Sequence, residues 1–351
     1  MQLNKTRRHQ LAPAERFDSR PWHEYTQGFA VHRELIRDAG LSQGLEFERL
    51  SRRTYLLRNS KLEIRFLRRM SERTSVVARE ITNDKELTRL HLQRAQVRCP
   101  KGRLFAGREG ADAWKFALEL GKSVVVKPVR GSGGRGVSLD VHSEAAFQQA
   151  WTHTGRGGVI VEQYVPGDEY RFFVLEDRVV AVARRIPAQV FGDGRSTVTE
   201  LIEKKNAERQ PNPYVGSKAI EISPDVVARL EAMNLSPGSV PGADRRVQLK
   251  CVSNVGAGGD SEDWTSRVHP GFVAAAVAAK EAIPGLYHAG IDLIAPDITS
   301  SPVQQGWSVC EVNSNPDIAL HHFPVFGLPR DVAGVLVRAL FRRRRGRARQ
   351  H

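Results

Sequence analysis

Only three cysteines occur in the 351 residues, Cys99, Cys251 and Cys310, odd in number and far apart. That argues against a disulfide framework and a zinc cluster, and it fits a reducing cytoplasm. The sequence has no run of about 18 apolar residues, so no transmembrane helix is expected. The basic start, MQLNKTRRHQLAPAERF, has no apolar region and does not read as a secretory signal. There is no internal repeat, and no stripe of alternating aromatic and basic residues on which bases could stack.

What is present is an ordinary globular composition, 40% hydrophobic and 26% charged, at a length that suggests two or three subdomains. The net charge is +14, and part of it sits in the tail FRRRRGRARQH. Such a tail reads as a solvated end, and the remaining charge as a background favouring anionic ligands. A nucleic-acid partner is therefore not expected, nor is a membrane; a homo-oligomer is left open.

Residues 1–24 read as a poorly ordered or extended N-terminus and 25–80 as a small α/β segment with a helix at 25–41 and short strands after it. A helix is expected at 83–97, capped by Asn83 or Asp84. Another follows at 109–120, leading into the strand SVVVKP. Later elements are a hairpin turning at Glu176-Asp177, a helix capped by the Gly-Asp-Gly turn, strands in RRVQLKCVSN and HAGIDLIAPDI, and a helix at 270–284. GWSVCEVNSNPDI is the last strand and LPRDVAGVLVRALF the closing helix. Hairpins mixed with helices give the class α+β rather than a βαβ array.

The stretch KSVVVKPVRGSGGRGVSLDV contains Gly131-Ser132-Gly133-Gly134-Arg135-Gly136, which fits G-x-G-x-x-G. A dinucleotide loop would be followed by a helix, and here GVSLDV reads as a strand. A kinase carries its lysine after the loop, whereas Lys127 precedes it, and neither H-R-D nor D-F-G occurs. A P-loop would end in G-K-[ST]. What remains is a glycine loop between antiparallel strands, with backbone N–H groups and Lys127 available to phosphate oxygens.

With that loop, residues 81–341 resemble the ATP-grasp carboxylate–amine ligases, especially the branch of cyanophycin synthetase and bifunctional glutathione synthetase. TNDKELTRLHLQRAQVRCPKG is similar to the family's Asp-Lys entry, and VVVKP to its second lysine strand. VEQYVPGDEYR resembles the hinge, with Glu162 and Glu169 seven apart, and GIDLI and CEVNSNP resemble the metal strands. FGDGRSTVTELIEKKN and HHFPVFGLPRDVAGVLVRALF carry the likeness to the branch. The segment VSNVGAGGDSEDWT departs from the usual NLSTGG form. Neither a Mur-ligase-like domain nor a glutamate–cysteine ligase module accompanies the match, which leaves the substrate open.

The resemblance implies ATP held between two α+β subdomains, with a glycine-loop subdomain at about 121–165. It puts Lys85, Lys127, Gly131, Ser132, Gly133, Gly134 and Gly136 on the phosphates. Glu162, Tyr164 and Val165 would meet the adenine and Glu169 the ribose. Asp292, Glu311 and Asn313 would hold magnesium, two ions replaceable by Mn2+. Oxygen donors of this kind suit that ion, and Glu311 and Asn313, two apart on a strand, share a face while Cys310 and Val312 point into the core. Of Arg184 and Arg185 one would face the γ-phosphate or substrate carboxylate and the other be solvated; Arg184 is taken as the catalytic candidate, with Lys250 and Asn254. Arg171 either lines the cleft or pairs on the surface, and His321 and His322 are either near substrate or structural.

The implied activity is an ATP-dependent ligase joining amino-acid or peptide carboxylates to amines through an acylphosphate, in the cytoplasm. Its alternatives are a non-catalytic ATP-binding accessory protein and a glutathione-synthetase-like ligase.

Overall fold

The computed structural model describes residues 30–342 apart from Lys122, Ser132 and Arg156. The expected N-terminus at 1–24, tail residues 343–351 and loop residue Ser132 lie outside the described residues.

Helix α1 (Ala30–Leu41) buries Val31, Leu35 and Ile36 at helical spacing. Strands β1 (Glu46–Arg49), β2 (Thr54–Arg58), β3 (Glu63–Leu67) and β4 (Met70–Ser71) form an antiparallel meander. Tyr55 faces Phe66 across it, the rings stacked 5.2 Å apart. This segment has no separate core. Its buried side chains join those of the last helix in one apolar cluster with Leu336, Val337 and Leu340.

The helix expected at 83–97 is α3 (Lys85–Arg94), and a helix not expected from the sequence, α2 (Val76–Asn83), precedes it. Asp84 divides them because its extended backbone, φ −111°, lets its carboxylate accept from the N–H groups of Glu86 and Leu87 at 3.0 and 3.1 Å. That capping satisfies two of the four orphan donors of α3.

The glycine-loop lobe contains β5 (Gly102–Phe105), α4 (Gly110–Glu119), β6 (Val124–Pro128), β7 (Ser138–Val141), α5 (Glu144–His153) and β8 (Val159–Gln163). Its sheet runs β5-β8-β6-β7, and α4 and α5 bury Phe147, Ala113 and Ala150 against it. The glycine loop joins β6 to β7, which are antiparallel as the sequence suggests.

The larger lobe begins with the hairpin β9 (Asp168–Leu175) and β10 (Arg178–Ile186). After β11 (Gln189–Phe191) come α6 (Val198–Arg209), α7 (Pro224–Glu231) and β12 (Arg246–Gln248), a satellite with its own small core. The cap of α6 is Thr197, in a capping box with Glu200, not the Gly-Asp-Gly turn. Asp193 instead ties that turn together by accepting from the N–H groups of Arg195 and Ser196.

Then come β13 (Asp260–Asp263), α8 (Pro270–Glu281), β14 (His288–Ala295), β15 (Ser308–Asn313), α9 (Ala319–His322) and α10 (Val332–Phe341). The central sheet is β13-β10-β9-β14-β15, antiparallel throughout. Along β9 the side chains alternate. Tyr170, Phe172 and Val174 pack in the cluster with α8, while Phe173 and Leu175 pack in the one with α10.

Candidate active site between the two lobes

The register of the central sheet sets the polar centre. Glu169 lies opposite Arg185, Arg171 opposite Asp292, Asp292 opposite Glu311, and Gly290 opposite Asn313. Gly290 leaves room for the arginine, since a Cβ there would meet Arg171 Cδ at 3.0 Å. The Arg171 guanidinium donates through Nη2 to Asp292 Oδ2 at 2.7 Å and through Nε to Oδ1. Arg185 Nη1 reaches Glu169 at 2.5 Å and Asp292 at 3.2 Å. The Ser253 hydroxyl donates to the other oxygen of Glu169.

The three carboxyls differ electrostatically. Burial raises the Glu169 carboxyl above its usual value, and the Asp292 charge adds to this against Arg185. At Asp292 burial is outweighed by Arg171 and Arg185, which hold it below the usual range. Glu311 is pushed up by burial and by Asp292. Its carboxylate makes no hydrogen bond or ion pair among the described residues, and the Asn313 side chain makes none either. Two facing carboxylates and a free amide are hard oxygen donors, and the oxygens of Asp292 keep lone pairs beyond those used by the arginines. The trio thus fits a divalent cation such as magnesium.

A bulge alters one expectation. Asp292 pairs with Glu311 and Leu293 with Val309, so Cys310 is the extra residue. It lines the same narrow cavity as Glu311 instead of pointing into the core, while Val312 is buried as expected.

That cavity lies between the lobes and is also lined by Lys85, Lys127, Glu162 and Cys99. Lys127 Nζ meets Glu162 Oε1 at 2.5 Å, both residues buried. Burial opposes the lysine's charge, but Glu162 outweighs it and raises the pKa. Lys85 is lowered by burial and donates to the Gly131 carbonyl at 3.0 Å. Asn254 holds the loop from the opposite lobe, donating to the Gly133 carbonyl at 2.7 Å. Gly131, Gly133, Gly134 and Gly136 all have positive φ, and a Cβ on Gly134 would press on Val252 at 3.3 Å. Tyr164 and Val165 lie in the linker after β8, where the Tyr164 N–H donates to the Ser123 carbonyl at 3.2 Å.

Other candidates fall elsewhere. Arg184 does not face this centre. Strand alternation puts it on the other side of β10, 2.9 Å from Asp168 and over the Trp264 ring, so Arg185 occupies the inward position. Lys250 is drawn to the start of α7 by Asp225 and Ser223, at 2.7 and 2.9 Å. His321 is buried beside Phe173, and His322 is buried and accepts from the Ala333 N–H at 3.0 Å. Arg171, left open by the sequence, is buried in the site.

Residues 82–236 match the family model described as an ATP-grasp domain. A glutathione biosynthesis bifunctional protein of Mannheimia succiniciproducens is 37% identical over 74% of this chain and 35% of its own length. A cyanophycin synthetase of Nostoc is 35% identical over 78% of this chain and 30% of its own. The chain therefore spans about a third of the curated relatives it matches. The crystal structure of a bifunctional glutathione synthetase from Pasteurella multocida is similar at a TM-score of 0.65 and 29% identity, covering 91% of this chain and 44% of that one. The two lobes, the glycine loop and these likenesses agree: the chain belongs to the ATP-grasp family.

Proposed function

We propose that the protein is an ATP-dependent ligase that joins an amino-acid or peptide carboxylate to an amine. The observation that carries this reading is the Asp292–Glu311–Asn313 set, whose Glu311 shares one cavity with Lys85 and Lys127. A carboxylate attacking the γ-phosphate would yield ADP and an acylphosphate, and an amine would then displace phosphate to form the C–N bond. Bound magnesium would neutralise phosphate charge, held by Glu311, Asn313 and Asp292.

The chain's own part is positioning and electrostatics. Lys85 and Lys127 would exchange their present partners, the Gly131 carbonyl and Glu162, for phosphate oxygens. The N–H groups from Gly131 to Gly136 would cover the phosphates and keep water from the acylphosphate. Glu162 and the Tyr164–Val165 linker are assigned to adenine and Glu169 to ribose, and Arg185 replaces Arg184 as the arginine for the transferred phosphoryl group. A reaction fed by ATP and amino acids suits the cytoplasm.

The test supplies ATP, magnesium and a panel of amino acids and dipeptides, and analyses all products. ADP and phosphate should appear in equal amounts with one new C–N bond, and hydroxylamine in place of the amine should yield an acyl hydroxamate. Release of AMP and pyrophosphate, or no turnover with any pair, would refute the reading.

A further inference from the structure

Beside the end of β15, side chains from four parts of the chain form a second polar cluster. Tyr214 and Lys218 come from the loop after α6, Asp317 from the segment after β15, His32 from α1 and Arg69 from the turn between β3 and β4. The Tyr214 hydroxyl donates to Asp317 Oδ2 at 2.5 Å, and the Ala319 N–H donates to Oδ1 at 3.0 Å. His32 Nε2 lies 3.7 Å from Oδ1. Arg69 is fixed on Asn315 by its Nη2, 3.1 Å from the backbone carbonyl, and by its backbone N–H, 3.0 Å from Oδ1.

Lys218 stands apart. Its ammonium lies 3.2 Å from the centroid of the Tyr214 ring and makes no hydrogen bond or ion pair among the described residues. Burial pulls its pKa down to about 8. Burial likewise takes His32 down to about 3 and raises the Tyr214 hydroxyl well above its usual value, so both are neutral near pH 7. The Asp317 carboxylate thus answers two cations, Lys218 and Arg69, and one positive charge is left over in a half-buried place. Uncompensated charge there is costly, and an anion would offset it.

The cluster borders the metal and phosphate site. Arg171 and Arg185 are near enough to act on the Tyr214 hydroxyl, and Asn315 is two residues beyond Asn313. A carboxylate undergoing phosphorylation belongs next to Glu311 and Arg185, so an anion at Lys218 is a second one. We infer that Lys218 and Arg69 bind the non-reacting carboxylate of an amino-acid or peptide substrate, with Tyr214 and Asp317 holding the lysine in place. The identity of the ligand as substrate rests on the ligase reading; the carboxylate site itself does not.

The experiment is calorimetric titration of the protein, loaded with the β,γ-imido analogue of ATP and magnesium, with standard amino acids, dipeptides and their C-terminal carboxamides. At least one acid should bind, and its amide should bind about ten- to a hundred-fold more weakly, as expected for a lost charge-assisted hydrogen bond. Lys218→Gln should bind acid and amide alike with unchanged affinity for the nucleotide analogue, and Lys218→Arg should keep most of the preference. Equal binding of acid and amide by the wild type, a preference that survives in Lys218→Gln, or no binding of any compound would overturn the inference. An acid preference without ADP release from ATP would uphold the carboxylate site and remove the ligase reading.

Discussion

Arg171 and Asp292 are both buried, and each is the other's main counter-charge. Removing one partner of such a pair leaves a charge in low dielectric and typically costs about 3–5 kcal/mol. An exposed pair costs far less, because solvent already screens it. Arg171→Met should therefore lower the unfolding free energy by about 3–5 kcal/mol in a urea titration. Arg58→Met, which loses exposed Glu46 and Glu48, should leave the transition where it was. Equal midpoints for the two variants would show that the central sheet does not depend on its buried pair. The same strand shows why residue roles are hard to read from sequence. Arg184 and Arg185 are adjacent and chemically identical, yet only Arg185 faces Glu169, because the pairing register decides which side is inward.

Among the described residues, the glycine loop accepts a hydrogen bond from each of two sides, Lys85 to Gly131 and Asn254 to Gly133. Neither bond is buried, so each contributes little to global stability and much to the local closure of the loop. Asn254→Ala should keep the melting temperature within a few degrees while raising hydrogen exchange across residues 130–137 by about tenfold, read by mass spectrometry. Unchanged protection there would show that the loop is closed by other contacts. Local chemistry made this element readable in advance: Lys127 ahead of the glycines and a β-pattern after them exclude the commoner nucleotide loops. The cap of α3 was readable to within one residue, Asn83 or Asp84, since capping involves neighbours in sequence; the fold uses Asp84. The bulge at Cys310 was not, because it arises from a mismatch between two strands that meet only in the folded sheet. Nor was the lysine cluster, whose members range from His32 to Asp317.

For the whole molecule, the fold brings cations from several elements to one cleft: Lys127 from the glycine-loop lobe, Arg171 and Arg185 from the central sheet, and Lys85 from α3, which packs on that sheet. Three of these cations are ion-paired there, Lys127 with Glu162, Arg171 with Asp292 and Arg185 with Glu169. Glu311 is the point where the two lobes' chemistry meets, since it makes no hydrogen bond among the described residues and lies near both Asp292 and the lysines. Changing it to Gln keeps volume and one acceptor oxygen but removes the charge that, in the proposed mechanism, would hold a divalent cation between phosphates. Such transition-state stabilisation is typically worth about 3–4 kcal/mol, or on the order of 10² to 10³ in rate. The decisive measurement is magnesium-dependent, amino-acid-stimulated ADP release by Glu311→Gln, with nucleotide affinity determined on the same sample. Release should fall by about 10² to 10³ while ATP still binds within a few-fold of wild type, since the substitution leaves untouched Glu162 and Glu169, proposed for adenine and ribose. ADP release within a few-fold of wild type would contradict the magnesium-dependent ligase site described here.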